Sequence, residues 1–312
     1  MGSRTLNVSF HGHGLADYGE WWKRQYGVEG RNLAEVFTRV CIDRGIDIYT
    51  LTNEPFSNFR VWSRFKQVRE QARNLPKTQR TRFDILGENA FVVELDKKPV
   101  IFLDGQSLRI NHHGRLVELL TVGTGEIPYS EGGAHQETNF GSFLSAINYL
   151  RREGLPVIAE HPFAQGHYGA LDKLDFEQFC SERSFDAVEH NGKLAVPNWL
   201  SFLPKFGGFT RRKNTIAVAI ADQYGIPVIA NDDADTIPQI GTAYTILPAR
   251  RIRTDTGEHI IQDAFDAIKE RDFSIHTGYT SFKEWMIYAV WNIQIRDHIL
   301  KSREKYEAKL TK

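Results

Sequence analysis

Three short stretches of this sequence collect side chains whose types and spacing suit metal binding. His11-Gly12-His13 places two imidazoles one residue apart. Glu160-His161-Pro162 and Asn231-Asp232-Asp233-Ala234-Asp235 each follow an apolar run that opens Gly-apolar-Pro-Val-Ile-Ala, at 154–159 and 225–230. Side chains two positions apart on a strand face the same way, so both imidazoles of the first stretch can reach one ion. Imidazoles mixed with carboxylates suit Zn, Mn or Fe rather than Ca.

Each stretch stands where a strand should end. Leu6, Val8 and Phe10 alternate with polar neighbours up to His11. Residues 33–41 have helical spacing with Gly45 as a cap, and 46–52 read as a strand closing at Asn53-Glu54-Pro55. A surface helix is expected over 58–73, then strands at 83–86, 90–95 and 99–104 with a turn at Asp96-Lys97-Lys98. Residues 116–122 form a further apolar strand with Glu118 inside it. Ser142 caps a helix through Arg152, and the strand 156–159 follows. A strand at 185–188 closes at Glu189-His190-Asn191-Gly192, and a helix over 214–224 leads to the strand before Asn231. From Ser281 a capping box with Glu284 opens a long amphipathic helix, a candidate face for a homo-oligomer.

Strands alternating with helices, with nearly continuous apolar runs, imply a parallel sheet buried on both faces. At least five of these strands end in ionisable or amide residues. In a closed β/α barrel all such ends converge on one face, whereas an open doubly wound sheet gathers only those at its switch point. The expected fold is therefore α/β: a distorted β/α (TIM-like) barrel over 1–275, with a helical extension over 276–312.

Composition excludes several roles. Lys+Arg and Asp+Glu are equal at 39 each, so no net field recruits nucleic acid in bulk. No run of eighteen apolar residues marks a membrane span, and no signal pattern opens the chain. Cys41 and Cys180 are the only cysteines in 312 residues, which fits a reducing compartment and a cytoplasmic location.

As an ordered set, the motifs resemble the PHP (polymerase and histidinol phosphatase) family of metal-dependent phosphoesterases. That family opens with a strand ending in His-x-His, here Phe10-His11-Gly12-His13-Gly14. Its Thr-Asp-His strand end is Thr52-Asn53-Glu54 here, its Ala-His-Pro is Glu160-His161-Pro162, and its Glu-Val-x-Asn strand corresponds to Val188-Glu189-His190-Asn191. Its closing Ser-Asp-Ala-His becomes Asp232-Asp233-Ala234-Asp235, with Gly241 beyond. The matches keep their order over 6–246.

The resemblance implies a PHP-like barrel and a metal-dependent hydrolase in which a metal-activated water attacks the phosphorus of a small phosphorylated substrate. It implies His11, His13, His161 and Asp233 as ligands, with Glu54, Glu118 and Asp235 as ligand-capable substitutes. Carboxylates in place of imidazoles admit Mg beside Mn, Zn or Fe, and one or two divalent ions are expected. The family's bridging Glu follows a Gly, and two registers compete for it, one giving Glu88 and the other Ser107. Asp235 and Asp232 are the candidate proton acceptors; His190 and Arg212 are candidate substrate contacts. His112-His113, His135 and His167 read as loop histidines.

Two other readings stand beside this one. An amidohydrolase-type metal hydrolase also uses His-x-His and a late Asp, but wants a Lys at a middle strand end, which the expected strands lack. A barrel that has lost catalysis and serves as a binding or regulatory module would account for the substituted ligands.

Overall fold

Leu6, Val8 and Phe10 are all buried in β1 (Thr5–Gly12), and the polar Ser9 and His11 between and beyond them are buried too, so this alternating strand is covered on both faces. The structure, a computed structural model, describes residues 4–13, 30–53, 64–125, 127, 138–164, 171–200 and 210–287. The first crossover helix, α1 (Leu33–Arg44), is capped at both ends. Asn32 accepts from the Glu35 N–H, and Gly45, at φ 70°, donates its N–H to the Cys41 and Ile42 carbonyls. It delivers the chain to β2 (Ile48–Asn53), parallel to β1 with Val8 opposite Ile48.

After α2 (Arg64–Arg73) come β3 (Thr81–Ile85), β4 (Ala90–Leu95) and β5 (Lys98–His112). These pair antiparallel in sequence order, while the first half of β5 lies parallel to β2. β5 runs well beyond the expected 99–104 because its second half forms a hairpin with β6 (Arg115–Val122). β6 is antiparallel to both its neighbours, so the sheet is mixed rather than wholly parallel.

Then follow α3 (Phe143–Arg152), β7 (Ile158–Ala159), α4 (Lys173–Ser181), β8 (Ala187–Asn191), α5 (Arg211–Gln223) and β9 (Val228–Asn231). The β7, β8 and β9 strands are parallel. β10 (Ala243–Pro248) pairs antiparallel with β1, and α6 (Gly257–Lys269) leads to β11 (Ser274–Thr277) on the far side of β10. The helix expected from Ser281 begins at 282–287, with the Glu284 N–H on the Ser281 hydroxyl at 3.2 Å. Its remainder lies outside the described residues.

The sheet comes round nearly to closure. Gly12 forms a parallel bridge to Ala234, and the Asp233 N–H donates to the His11 carbonyl at 2.9 Å. Inside lie Val8, Phe10, Ile48, Leu103, Leu120, Ile158 and Ile229, met by α6 through Phe265, whose ring is 5.2 Å from Phe10. With β6 as the exception in this stretch, β1, β2, β5, β7, β8 and β9 point the same way. Their C-terminal ends therefore share the barrel face where sites form. No helix among the described residues is long and apolar enough to cross a membrane.

Candidate metal centre

That face gathers His11 and His13 from β1, Ser107 from β5, and Glu118 from β6. It also gathers Glu160 and His161 from the end of β7, Glu189 and Asn191 from β8, and Asp233 and Asp235 after β9. Two sets of three groups lie within 4.8 Å of one another: His11, His13 and Asp233, and Glu118, Glu160 and His161. His11 joins them, because its Nε2 is 3.5 Å from both the Glu160 and the Asp233 carboxylates. The other ring nitrogen, Nδ1, is 2.6 Å from Glu189 Oε1. A carboxylate on one nitrogen fixes the tautomer and leaves the other for an ion, as metal-ligating histidines are commonly held.

Glu189 serves as the frame. Its oxygens also accept from the His161 N–H at 3.0 Å and from the side chains of Asn191 and Asn231 at 3.1 Å each. Asn191 reaches on to Asp233 Oδ2 at 2.8 Å. His161 and Asp233 are non-glycine residues with positive φ, 22° and 47°. Such backbone costs on the order of 1–3 kcal/mol and persists where a site demands it.

Glycine at 12, between the two histidines, has a steric cause. A Cβ there would sit 2.1 Å from the Tyr49 hydroxyl, so β1 can carry the paired imidazoles past β2 only with no side chain between them.

The electrostatics favour a cation. Among the described residues, Glu118, Glu160, Glu189, Asp233 and Asp235 meet three cationic side chains, Arg64, Arg109 and Lys193, an anionic excess that imidazoles or a bound ion would balance. Burial works against charge on His11, yet Glu189, Asp233 and Glu160 hold its imidazole well above the usual range. Burial opposes His161 likewise, but the Glu160 hydrogen bond and charge push it up to about 10. Burial would raise Glu160, and His11 with His161 brings it down to about 2. A position that makes its imidazoles cationic is one where a divalent ion is welcome.

Several groups here were not among the expected ligands. Glu160 is the central one: its Oε1 lies 3.2 Å from His161 Nε2, and its Oε2 accepts from Ser107 at 2.7 Å. Ser107, one of the two residues offered for the bridging position, holds a carboxylate that comes from the next parallel strand, while the other, Glu88, is exposed in the turn between β3 and β4. Glu160 belongs to one of the three metal-suited stretches, though the resemblance, which has Ala there, does not make it a ligand. Lys193, two residues past β8, pairs with Asp235 and lies 3.4 Å from Asp233 Oδ1. Arg64, at the start of α2, is 2.7 Å from His13 Nδ1. A guanidinium only donates, so this Nδ1 accepts and the His13 proton stands on Nε2, which lies 2.9 Å from both Asp233 Oδ1 and His11 Nε2.

Other expected residues lie elsewhere. Asp232 faces the opposite side of the chain from Asp233. Its carboxylate accepts from the Ser9 hydroxyl at 3.0 Å and the Gly241 N–H at 2.7 Å, and burial pushes it up to about 7. It clasps the β9 end to the backbone turn at Gly241, whose φ is 75°. His190 points away from Glu189 and Asn191 on the alternating strand, its ring 5.3 Å from Tyr279. Arg212 is exposed on the first turn of α5, with its N–H on Asn198. Asn53 links Asp104 to the Arg64 N–H. Glu54, His135 and His167 lie outside the described residues.

Comparison with known proteins bears on the fold. Residues 211–272, from α5 through β9 and β10 to the end of α6, match the family model described as PHP-associated. Among solved structures, PsfC from Pseudomonas syringae PB-5123 has the same fold, with a TM-score of 0.53 at 14% identity, over 94% of this chain and 99% of that one. No curated protein matches the chain.

Proposed function

We propose that this chain, a PHP-family protein by its PHP-associated segment and its fold, is a metal-dependent hydrolase of small phosphate esters, working in the cytoplasm. The observation that carries the reading is His11: one ring nitrogen is tied to Glu189, and the other lies 2.9 Å from His13 Nε2 and 3.5 Å from both the Glu160 and the Asp233 carboxylates, four ligand-type groups on one point. In this reading His11, Glu160, His161 and Asp233 hold one or two divalent ions, Mn, Zn or Fe, with Glu118 at the edge of the set. The ion, when bound, supplies an acidified water and neutralises charge developing on phosphorus. Glu189 fixes the direction of His11, and Asn191 that of Asp233. His13, occupied by Arg64 at Nδ1, serves as a hydrogen-bond donor to Asp233. Asp235 holds the Lys193 ammonium in place rather than moving a proton. Arg109, buried on the same face of β5 as Ser107 and opposite Glu118 on β6, is the cation for the phosphate, in the role the sequence offered to Arg212.

The test is metal content on untagged protein purified without chelator, together with hydrolysis of p-nitrophenyl phosphate. At least one equivalent of metal and metal-dependent turnover are expected, both lost in His11→Ala and Asp233→Ala with circular dichroism unchanged. A chain that neither retains nor takes up metal would instead be a binding module on a PHP-like barrel. One observation favours a second enzyme reading. Lys193 brings an ammonium to this face, which the amidohydrolase-type pattern wants and the expected strands lacked. Turnover of an amide substrate with none of p-nitrophenyl phosphate would select that reading.

A further inference from the structure

Away from the strand-end site, the β5–β6 hairpin carries a second set of ligand-type side chains. The strands are joined by the two-residue loop His113-Gly114, at φ 52° and 76°. Positive φ at both positions turns the chain tightly and swings His113 beside His112, so the two rings, adjacent in sequence, stand 4.3 Å apart at 52°. On a regular strand neighbouring side chains would point to opposite faces. The third member comes from the first turn of α4: Asp175 Oδ2 is 3.0 Å from His112 Nε2. One ligand atom from each of His112, His113 and Asp175 lies within 4.8 Å of the others.

We propose that His112, His113 and Asp175 form a second divalent-metal site, separate from the strand-end cluster. Two imidazoles and one carboxylate suit Zn²⁺ and the neighbouring ions Co²⁺, Ni²⁺ and Cu²⁺, with the remaining position open to water. Ligand atoms about 2.0–2.2 Å from a tetrahedral ion stand roughly 3.4 Å from one another, so the His112–Asp175 pair needs to open by only a few tenths of an ångström. The His112 ring is already oriented, with Phe143 and Phe179 each 5.6 Å away. His113 is exposed and Asp175 half-buried, so an ion reaches them from solvent. The ion joins the hairpin tip to α4, where Arg115 and Asp172 already pair at 3.0 Å.

Titration of the untagged, full-length chain with Co²⁺ tests the proposal, read by calorimetry and by the visible absorption of the bound ion. His113→Ala is expected to remove one equivalent relative to wild type. His11→Ala is expected to retain that equivalent, and adding Asp175→Asn to weaken it at least tenfold. The proposal is overturned if wild type and His113→Ala bind the same number of Co²⁺ ions with the same affinity. It is also overturned if the His11→Ala protein, folded by circular dichroism, binds none. Because the readouts follow different variants, failure here leaves the strand-end site untouched, and the reverse holds.

Discussion

The two histidine pairs reach ligand geometry by opposite routes. His11 and His13 alternate along a buried strand and face one way because of the pleat. His112 and His113 are adjacent and face one way because a turn bends between them. Around the first pair, carboxylates from the ends of three other strands, β7, β8 and β9, are buried with it, and none of these can return its charge to water. Around the second, one half-buried Asp175 and two phenyl rings suffice, and solvent does the rest. Burial turns a ligand set from an option into an electrostatic requirement. The first cluster must contain cations, whether imidazolium, Lys193, Arg64 or a metal; the second is stable with or without one.

That difference is broken most directly at Glu160. Glu160→Gln keeps the shape and the acceptor for Ser107 but removes the charge that joins His11 to His161. Loss of the strand-end metal equivalent is expected, with the hairpin-tip equivalent intact. Retention of both at wild-type affinity would remove Glu160 from the ligand set. Next in size is Glu189→Gln, which touches no ion in this reading but loosens the His11 ring and sets an amide N–H among the donors of His161, Asn191 and Asn231. Outer partners of this kind are worth about 10–100-fold in metal affinity, and equilibrium dialysis should find a loss in that range. A loss under twofold would mean that the His11 orientation is set by packing alone.

Much of this was legible because it depends on local periodicity. The His-x-His alternation, the strand ends at Asn53 and Asn191, and the caps at Gly45 and Ser142 all follow from spacing and side-chain type. What escaped was set by partners distant in sequence. Nothing near Lys193 announces that it reaches Asp235 across from β9, and Arg64 meets His13 only through the fold. Asp232 and Asp233 are indistinguishable in sequence, yet the left-handed backbone at 233 sends one carboxylate into the site and the other to Gly241. β6 reads as one more buried strand, and its reversal comes from a loop of only two residues, too short for a parallel crossover. Ser107 is named by one of two competing registers, but that it donates to Glu160 appears only once β5 and β7 are placed.

Smaller effects sharpen the contrast by acting on the scaffold of the first pair. Gly12→Ala drives a methyl into the Tyr49 ring, and overpacking of this kind costs about 1–3 kcal/mol. A lowered urea midpoint is expected, relieved in the Gly12→Ala/Tyr49→Ala double variant relative to Tyr49→Ala alone, because the ring carbon Cζ, 2.2 Å from the added methyl, goes with the hydroxyl. An equal cost of Gly12→Ala with and without the ring would place the strain elsewhere than at Tyr49.

The last test concerns a histidine buried without an orienting carboxylate. Where His11 and His161 are raised by the acids around them, burial lowers His190 to about 4, with the neighbouring Glu189 only partly opposing. Its Nε2 has no hydrogen-bond partner among the described residues, and its ring lies against Tyr279. The sign follows from proton counting. Between pH 6.5 and 4 the unfolded chain binds a proton at this position and the folded chain does not, so stability falls as pH drops through that window. By pH 5 the loss amounts to on the order of 2 kcal/mol relative to pH 7.5. His190→Phe removes the titrating group while keeping an aromatic ring against Tyr279. Urea midpoints at the two pH values should therefore lie closer together in the variant than in wild type. An equal pH dependence in both would mean that His190 accepts its proton in the folded chain as readily as in water, and that burial alone does not separate it from the paired histidines.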